Sequence, residues 1–201
     1  MTKNKNTERK IFDAATELFL EKGVDRTSVR EIAAKANINL ALMNYYFRSK
    51  ENLFETVFSV LIKKNTANLA KILNSDLPIF DKIQQYVGAY IDIMVANPLL
   101  VSFFISILHR NPDTIMHVKN ISNLYSTDSF IKQLKAEASM GNIRNIEPSH
   151  FFVDMISLIL FPFAIKSLIM DKNKFSATDY SNFISSRKEW VADSLIRTLR
   201  P

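Results

Sequence analysis

The sequence predicts an all-α fold, and three observations lead to it. Only three glycines and six prolines occur in 201 residues, and these are too few turn-forming residues for an all-β chain of this length. Apolar residues recur at helical spacing, as in the stripe of Ile11, Ala14, Ala15, Leu18 and Phe19. The interruptions are short and polar or contain proline, as at 74–78 and 97–98. These features together indicate long helices joined by short turns.

Helix signals place the elements in order along the chain. The first helix is expected to begin near Thr7, after a polar and disordered arm of residues 1–6, and to end at Gly23. Pro148 fits the first turn of a later helix, where its missing N–H costs nothing. After residue 47 the predicted helices cover 50–74, 79–96, 98–109, 113–141 (with a break near 126–127 left open), 148–170 and 177–199.

Residues 28–50 read as two short helices joined by a tight turn. Ser28 and Glu31 have the spacing of a capping box, and Asn37 suits the left-handed backbone of a sharp turn. The second short helix, roughly 39–47, is predicted to bury Leu42, Met43 and Phe47. Its outer face is predicted to carry Asn39, Ala41, Asn44, Tyr45 and Tyr46. A short helix with small, amide and phenolic side chains outward, between basic residues, suits a DNA major groove.

The charge distribution also favours a nucleic-acid partner at this end of the chain. Residues 1–50 hold ten Lys/Arg and six Asp/Glu, a net +4, whereas residues 51–201 hold sixteen and fourteen, a net +2. An ordinary solvated basic surface is the alternative interpretation. The absence of cysteine excludes disulfides, thiolate metal sites and cysteine catalysis. We expect a cytoplasmic protein, because the start is polar and no stretch is apolar enough to span a membrane.

The segment from Glu8 to Phe58 resembles the N-terminal DNA-binding domain of TetR-family transcriptional regulators. The resemblance depends on Ala14-Ala15, Leu18-Phe19, Gly23, Thr27-Ser28, Ile32-Ala33, Ala36, Ile38, Tyr46-Phe47, Lys50-Glu51 and Leu53. It implies a helix-turn-helix DNA-binding head, residues 1–58, and a helical ligand-binding and dimerisation body, residues 59–201. It also implies a ligand-responsive regulator, most often a repressor, rather than an enzyme.

Carried over by position, the resemblance implies which residues contact an operator. These are Thr27, Ser28, Arg30, Asn39, Ala41, Asn44, Tyr45, Tyr46 and Lys50, with Lys50 as a phosphate anchor. Three positions depart from the family, which often has a small polar or basic residue at Leu40, glycine at Ala41 and tyrosine at Asn44. Asn44 suggests a bidentate contact with an adenine edge, and a contact with DNA backbone or water is the alternative.

In the resembling family, the body pairs with its copy through the last two helices and encloses an inducer. We therefore expect a homodimer through 148–170 and 177–199 on a near-palindromic double-stranded operator. Several apolar side chains in those helices exceed what one interior needs: Phe161, Phe163, Ile165, Leu168, Ile169, Phe183 and Trp190. Candidate lining residues for a small, largely hydrophobic inducer are Tyr90, Met94, Phe104, His109 and Phe161, although aromatic and methionine residues at helical spacing usually belong to the core.

Other functions have weaker support in the sequence. His109 and His117 lie eight residues apart with Asn111-Pro112 between them, so no metal site is predicted. No cofactor is predicted either, because the three glycines are isolated and form no phosphate-binding loop. Two alternatives from other classes remain: a helical binding protein whose head does not use DNA, and an enzyme hosted by the body. Activation instead of repression is a third.

Overall fold

The computed structural model describes residues 2–101 and 127–201, and all of their regular structure is helical. The all-α prediction is therefore confirmed. The helices are α1 (Thr2–Lys22), α2 (Val29–Lys35), α3 (Leu40–Phe47), α4 (Lys50–Leu73), α5 (Ile79–Ala96), α6 (Asp128–Ser139), α7 (Pro148–Ala164), α8 (Lys166–Asn173) and α9 (Ala177–Leu199). The described residues form two compact units, one ending at Lys64 and one from Asn65 onward. The functional division expected at residues 58–59 stays a prediction.

The first unit begins with a helix that is longer than the sequence suggested. α1 begins at Thr2, so the prediction of a disordered arm over residues 1–6 is wrong for the described residues 2–6. No glycine or proline lies before Thr7 to stop a helix there. α1 ends as predicted at Gly23, whose φ of 80° reverses the chain while its N–H donates to the Phe19 carbonyl over 3.0 Å.

A compact apolar core holds the first unit together. Phe19 and Phe54 meet edge to face with ring centroids 6.0 Å apart, and Phe54 stacks on Phe58 at 5.8 Å. Such aromatic pairs add to the free energy of burial through their edge and face charges. The fully buried side chains of this core include Ile11, Ala15, Phe19, Ile32, Met43, Leu53, Val57 and Phe58. α2 and α3 are thereby fixed against α1 and α4.

The second unit is built around α5 and α9, which pack along each other. The face of α9 predicted to be buried is confirmed, with Tyr180, Ile184, Val191, Leu195 and Leu199 all inside. α5 also buries Lys82, of which only 1% is exposed. Its ammonium donates to the Ser75 carbonyl over 2.7 Å and to the Gln133 side-chain oxygen. Burial lowers the pKa of Lys82.

The prediction of one helix over 148–170 is wrong. Two helices replace it, α7 and α8, and they meet at Ile165 with a bend of 66°. Pro162 lies inside α7 and has no N–H for the Leu158 carbonyl, four residues earlier. That carbonyl instead accepts from Arg187 Nη2 over 2.7 Å, and the Pro162 carbonyl accepts from the Tyr180 hydroxyl over 3.0 Å.

The remaining predicted helices differ in how much of them is described. The helix over 98–109 and most of the helix over 113–141 lie outside the described residues. What is described of the latter is α6, which ends in a Schellman motif at Gly141, where φ is 76°. Among the described helices, none alone has the length and apolar content to cross a membrane, and α7 with α8 meets those limits only as a bent pair.

Candidate nucleic-acid interface

A capping box fixes the start of α2, as the sequence predicted. The Ser28 hydroxyl accepts from the Glu31 N–H over 3.2 Å, and the Ser28 N–H donates to Glu31 Oε2 over 2.8 Å. That backbone bond, with further hydrogen bonds from Lys22 and the Ser28 hydroxyl, lowers the pKa of Glu31 from 4.5 to about 2. Glu31 is therefore ionised at neutral pH and holds α2 in place.

The turn between α2 and α3 is also the predicted one. Asn37 has φ 53°, and the N–H groups of Asn37 and Ile38 donate to the carbonyls of Ala34 and Ala33 over 3.1 and 3.0 Å. This is the Schellman pattern, which satisfies the last carbonyls of α2. The angle between the two short helices is therefore set by local backbone hydrogen bonds.

α3 presents most of its side chains to solvent. Met43 and Phe47 are buried, but Leu42 is 37% exposed, so the prediction that all three are buried is wrong. Packing covers only one side of this eight-residue helix, and Leu42 does not lie on it. The predicted outer residues Asn39, Ala41, Asn44 and Tyr45 are exposed, and Tyr46 is half-buried.

Asn39 has a structural role as well as an exposed position. Its side-chain oxygen caps α3 by accepting from the Leu42 N–H over 2.9 Å. Tyr45 is 73% exposed, and its ring meets that of Tyr46 edge to face at 5.2 Å. The outward side of α3 therefore presents an aromatic ring to solvent.

The structure contradicts the role predicted for Thr27. Only 1% of Thr27 is exposed, and its one hydroxyl proton is shared between the Gly23 carbonyl, at 2.9 Å, and the Leu18 carbonyl, at 3.3 Å. The hydroxyl faces the end of α1, so it cannot meet a phosphate without leaving this buried position. Thr27 instead fixes the link between α1 and α2.

Lys50 also makes contacts that its sequence position did not reveal. Its ammonium donates to the carbonyls of Val24 and Thr27 over 3.1 and 3.2 Å, which ties the start of α4 to the segment before α2. An ammonium has three N–H donors, so one is left for a phosphate. The proposed anchoring role thus stays a prediction, and a structural role is added to it.

Basic side chains flank the exposed face of α3. Arg30 in the first turn of α2 and Arg48, the residue after α3, are exposed, as is the capping Ser28. Neither Arg48 nor Leu42 was among the predicted contact residues. Arg48 has φ 62°, which marks the end of α3. Helical spacing was the signal for the exposure of Leu42, because Leu42 and Phe47 lie about 140° apart around the helix.

Comparison with known proteins identifies this arrangement. Residues 11–57 match the family model described as bacterial regulatory proteins, tetR family. The matched residues are fewer than half of the chain, so the similarity to the tetR family is established for this segment. The HTH-type transcriptional repressor Rv3405c of Mycobacterium tuberculosis is 38% identical over 68 residues, which are 34% of each chain. The biofilm operon icaADBC HTH-type negative transcriptional regulator IcaR of Staphylococcus aureus is 46% identical over 46 residues, 23% of this chain and 25% of IcaR.

The similarity of sequence is confined to part of each TetR-family protein, whereas the fold extends further. The matched segments span between about a quarter and a half of the first curated relatives. Solved structures match over nearly the whole chain. HlyIIR, a hemolysin II transcriptional regulator, has a TM-score of 0.56 at 23% identity and covers 91% of this chain and 97% of its own. SCO4942 from Streptomyces coelicolor has a TM-score of 0.69 at 20% identity, with 97% and 99% covered. These TM-scores show that the chain shares the fold of both proteins.

Three of the five predicted ligand residues lie in the described part of the chain, and two of them, Tyr90 and Met94, are about one helical turn apart on α5. Tyr90 is half-buried against Tyr86, and Met94 is buried on the same helix. Phe161 is 60% exposed, because the buried stripe of α7 lies on the helix's other side, and its place in a pocket lining stays a prediction. Phe104 and His109 lie outside the described residues.

The described part of the chain offers two further observations on binding sites. An open groove of about 350 Å³ lies in the first unit, lined by Glu8, Arg9, Phe12, Phe47 and Thr56. None of those side chains was predicted to contact a ligand. Among the described residues, no group of His, Asp and Glu has the geometry to hold a metal ion, and His109 and His117 are outside that set.

Proposed function

We propose that this chain is a DNA-binding transcriptional regulator. The observation that carries the proposal is α3: a short helix with its outward side exposed, set by the capped α2 and the Schellman turn. Helix-turn-helix proteins place such a second helix in the major groove, with its N-terminal residues on base edges. The exposed Arg30 and Arg48 on either side of α3 supply positive charge for the flanking phosphates.

The finer proposal is repression by a homodimer on a near-palindromic operator, relieved by a small and largely hydrophobic inducer. Two relatives of the first unit carry names that say repressor or negative regulator, which favours repression over activation. A two-fold dimer places its two recognition helices on half-sites about 34–36 Å apart, or somewhat more. The inducer would bind in the second unit, where Tyr90 and Met94 remain candidate residues.

The proposed dimer is supported by apolar surface on the last helices of the second unit. Phe161 on α7, Leu168 on α8 and Trp190 on α9 are each more than half exposed. Large aromatic and aliphatic side chains are the usual anchors of an interface core. A glutamate in place of Trp190 should therefore lower the mass measured by light scattering from dimer to monomer. A glutamate at the exposed Lys132, on α6, is the control and should leave the mass unchanged.

Fluorescence anisotropy across a salt series tests the DNA-binding proposal. The probe is the duplex upstream of the chain's own gene, with bound fragments selected genome-wide if that duplex fails. Tight, sequence-selective binding should weaken steeply with salt, because each neutralised phosphate releases counterions. Equal affinity for selected and scrambled DNA would contradict the proposal and favour the alternative, a helical binding protein whose head does not bind DNA.

Single substitutions assign the phosphate contacts within the same assay. Arg30→Ala and Arg48→Ala should each weaken binding on every sequence and reduce the slope of log K against log salt by about 1. Lys132→Ala removes one exposed positive charge from the second unit and serves as the matched control. An unchanged salt slope in both arginine variants would show that neither arginine contacts a phosphate. Release of bound DNA by members of a hydrophobic ligand panel tests induction.

A further inference from the structure

The outward side of α3 carries no charge and is largely apolar. The helix sequence is LALMNYYF, and the side chains opposite the buried Met43 and Phe47 are Ala41, Leu42 and Tyr45. At 3.6 residues per turn these three fall within an arc of about 100°. Tyr45 lies near the centre of this arc, with Ala41 and the 37%-exposed Leu42 on either side of it, so this side of α3 leaves apolar atoms in solvent for a binding partner to cover.

The chemistry of this surface distinguishes among base pairs. The commonest specific contact with guanine is a bidentate arginine or lysine, and α3 has neither. The nearest basic residue is Arg48, which follows the C-terminal end of the helix, whereas recognition helices read bases through their N-terminal residues. Apolar side chains instead contact the C5-methyl group of thymine, and that methyl is the apolar feature of the major groove.

We infer that α3 reads A·T base pairs, with Leu42 and Ala41 packed on thymine methyl groups in each half-site. Both residues are in the first turn and a half of α3, the part that reaches base edges in helix-turn-helix complexes. Asn44, exposed at the edge of the same surface, fits the N6 and N7 groups of an adenine beside them. The inference rests on the proposed function, because it assumes that α3 enters the major groove.

Selection from a random duplex library tests the base preference. The full chain should enrich duplexes whose half-sites have A·T pairs at the positions that α3 covers. Uracil is then substituted for each thymine in turn, which removes the C5-methyl group and keeps the base pairing. Affinity should fall about fourfold at each contacted thymine, the factor that corresponds to burying one methyl-sized group.

A variant of Leu42 identifies the side chain responsible. Leu42→Ala should abolish the thymine-over-uracil preference at one position of the half-site and leave it unchanged at the others. Because Leu42 is exposed, the variant should keep its helical content, which circular dichroism checks. Val60→Ala removes an exposed apolar side chain from α4 in the same unit and should retain every preference.

The outcomes separate the inference from the function on which it rests. A selected consensus with G·C pairs at the α3 positions, or wild-type affinity that no uracil lowers, overturns the inference and leaves DNA binding standing. A library from which nothing is enriched, with no salt-dependent binding, overturns both. Loss of the thymine preference in Val60→Ala as well as in Leu42→Ala would show that Leu42 is not the reader.

Discussion

Replacing Arg187 with methionine tests the contact that completes the proline break in α7. Arg187 Nη2 donates to the Leu158 carbonyl over 2.7 Å, and Pro162 has no N–H to replace it. Methionine keeps an unbranched side chain of similar length and removes the donor. The Leu158 carbonyl is then left without a partner in a partly buried position.

The expected cost follows from the contacts that are lost. Leaving a buried acceptor unpaired costs about 1–3 kcal/mol. The guanidinium also lies 5.8 Å from the Phe183 ring centroid and 5.2 Å from that of Trp190, contacts worth about 0.5–1 kcal/mol each at exposed sites. Urea unfolding followed by circular dichroism, at fixed protein concentration, should show a loss of about 2–5 kcal/mol.

A second substitution isolates the hydrogen bond from the ring contacts. Pro162→Ala supplies the backbone N–H that the Leu158 carbonyl lacks, so Arg187→Met should cost less in that background. The ring contacts are lost in both backgrounds and cancel, which leaves a coupling of about 1–2 kcal/mol. Arg197→Met, which changes an exposed arginine bonded only within α9, is the control and should show no coupling. Additivity within about 0.5 kcal/mol for Arg187 and Pro162 would refute the reasoning.

Three further predictions concern buried or capping groups. Thr27→Val should destabilise the first unit by about 1–2 kcal/mol in urea, because the Gly23 and Leu18 carbonyls lose the one hydroxyl proton that they share. The salt slope of DNA binding should stay unchanged, and an altered slope would restore a phosphate contact to Thr27. Lys82→Met should lower the free energy of unfolding by about 2 kcal/mol in the same assay, because the Ser75 carbonyl and the Gln133 side-chain oxygen lose their donor. An unchanged urea midpoint would contradict this prediction. The pKa of Glu31 is lowered from 4.5 to about 2, so the folded state holds fewer protons than the unfolded state between those values. The stability that Glu31 contributes is thus full above pH 4.5 and is lost as the pH falls towards 2. The difference in urea midpoint between wild type and Glu31→Gln should therefore shrink over that range. A difference that stays constant would contradict this prediction.

The elements that the sequence predicted best are those specified by neighbouring residues. The bounds of α5 and α9 and the buried face of α9 are as expected, because apolar periodicity over about 20 residues averages out single exceptions. The break at Ile165 was missed although Pro162 was visible in the sequence. A proline within an apolar run is compatible with a gentle kink or a full break, and side chains on another helix decide between them.

The candidate site was predicted in outline and corrected in detail. The pattern of α2, turn and α3 could be located from a serine, a glutamate and an asparagine at fixed spacing. Leu42 was assigned wrongly, because hydrophobicity was taken as burial although α3 is packed on one side only. Thr27 and Lys50 were assigned to DNA by position, but their polar atoms meet carbonyls of the segment between α1 and α2.

The sequence by itself determined the all-helical class, the capped helix-turn-helix and the excess of positive charge near the N-terminus. The helical class and the capped helix-turn-helix depend on periodicities and hydrogen bonds within a few helical turns, and the charge excess depends on composition alone. Only the tertiary structure decided that Thr27 is buried, that Arg187 satisfies the Leu158 carbonyl and that Lys82 is enclosed. Each of those facts includes a hydrogen bond between residues at least seven positions apart, and whether a polar atom meets solvent or a distant carbonyl depends on how the helices pack.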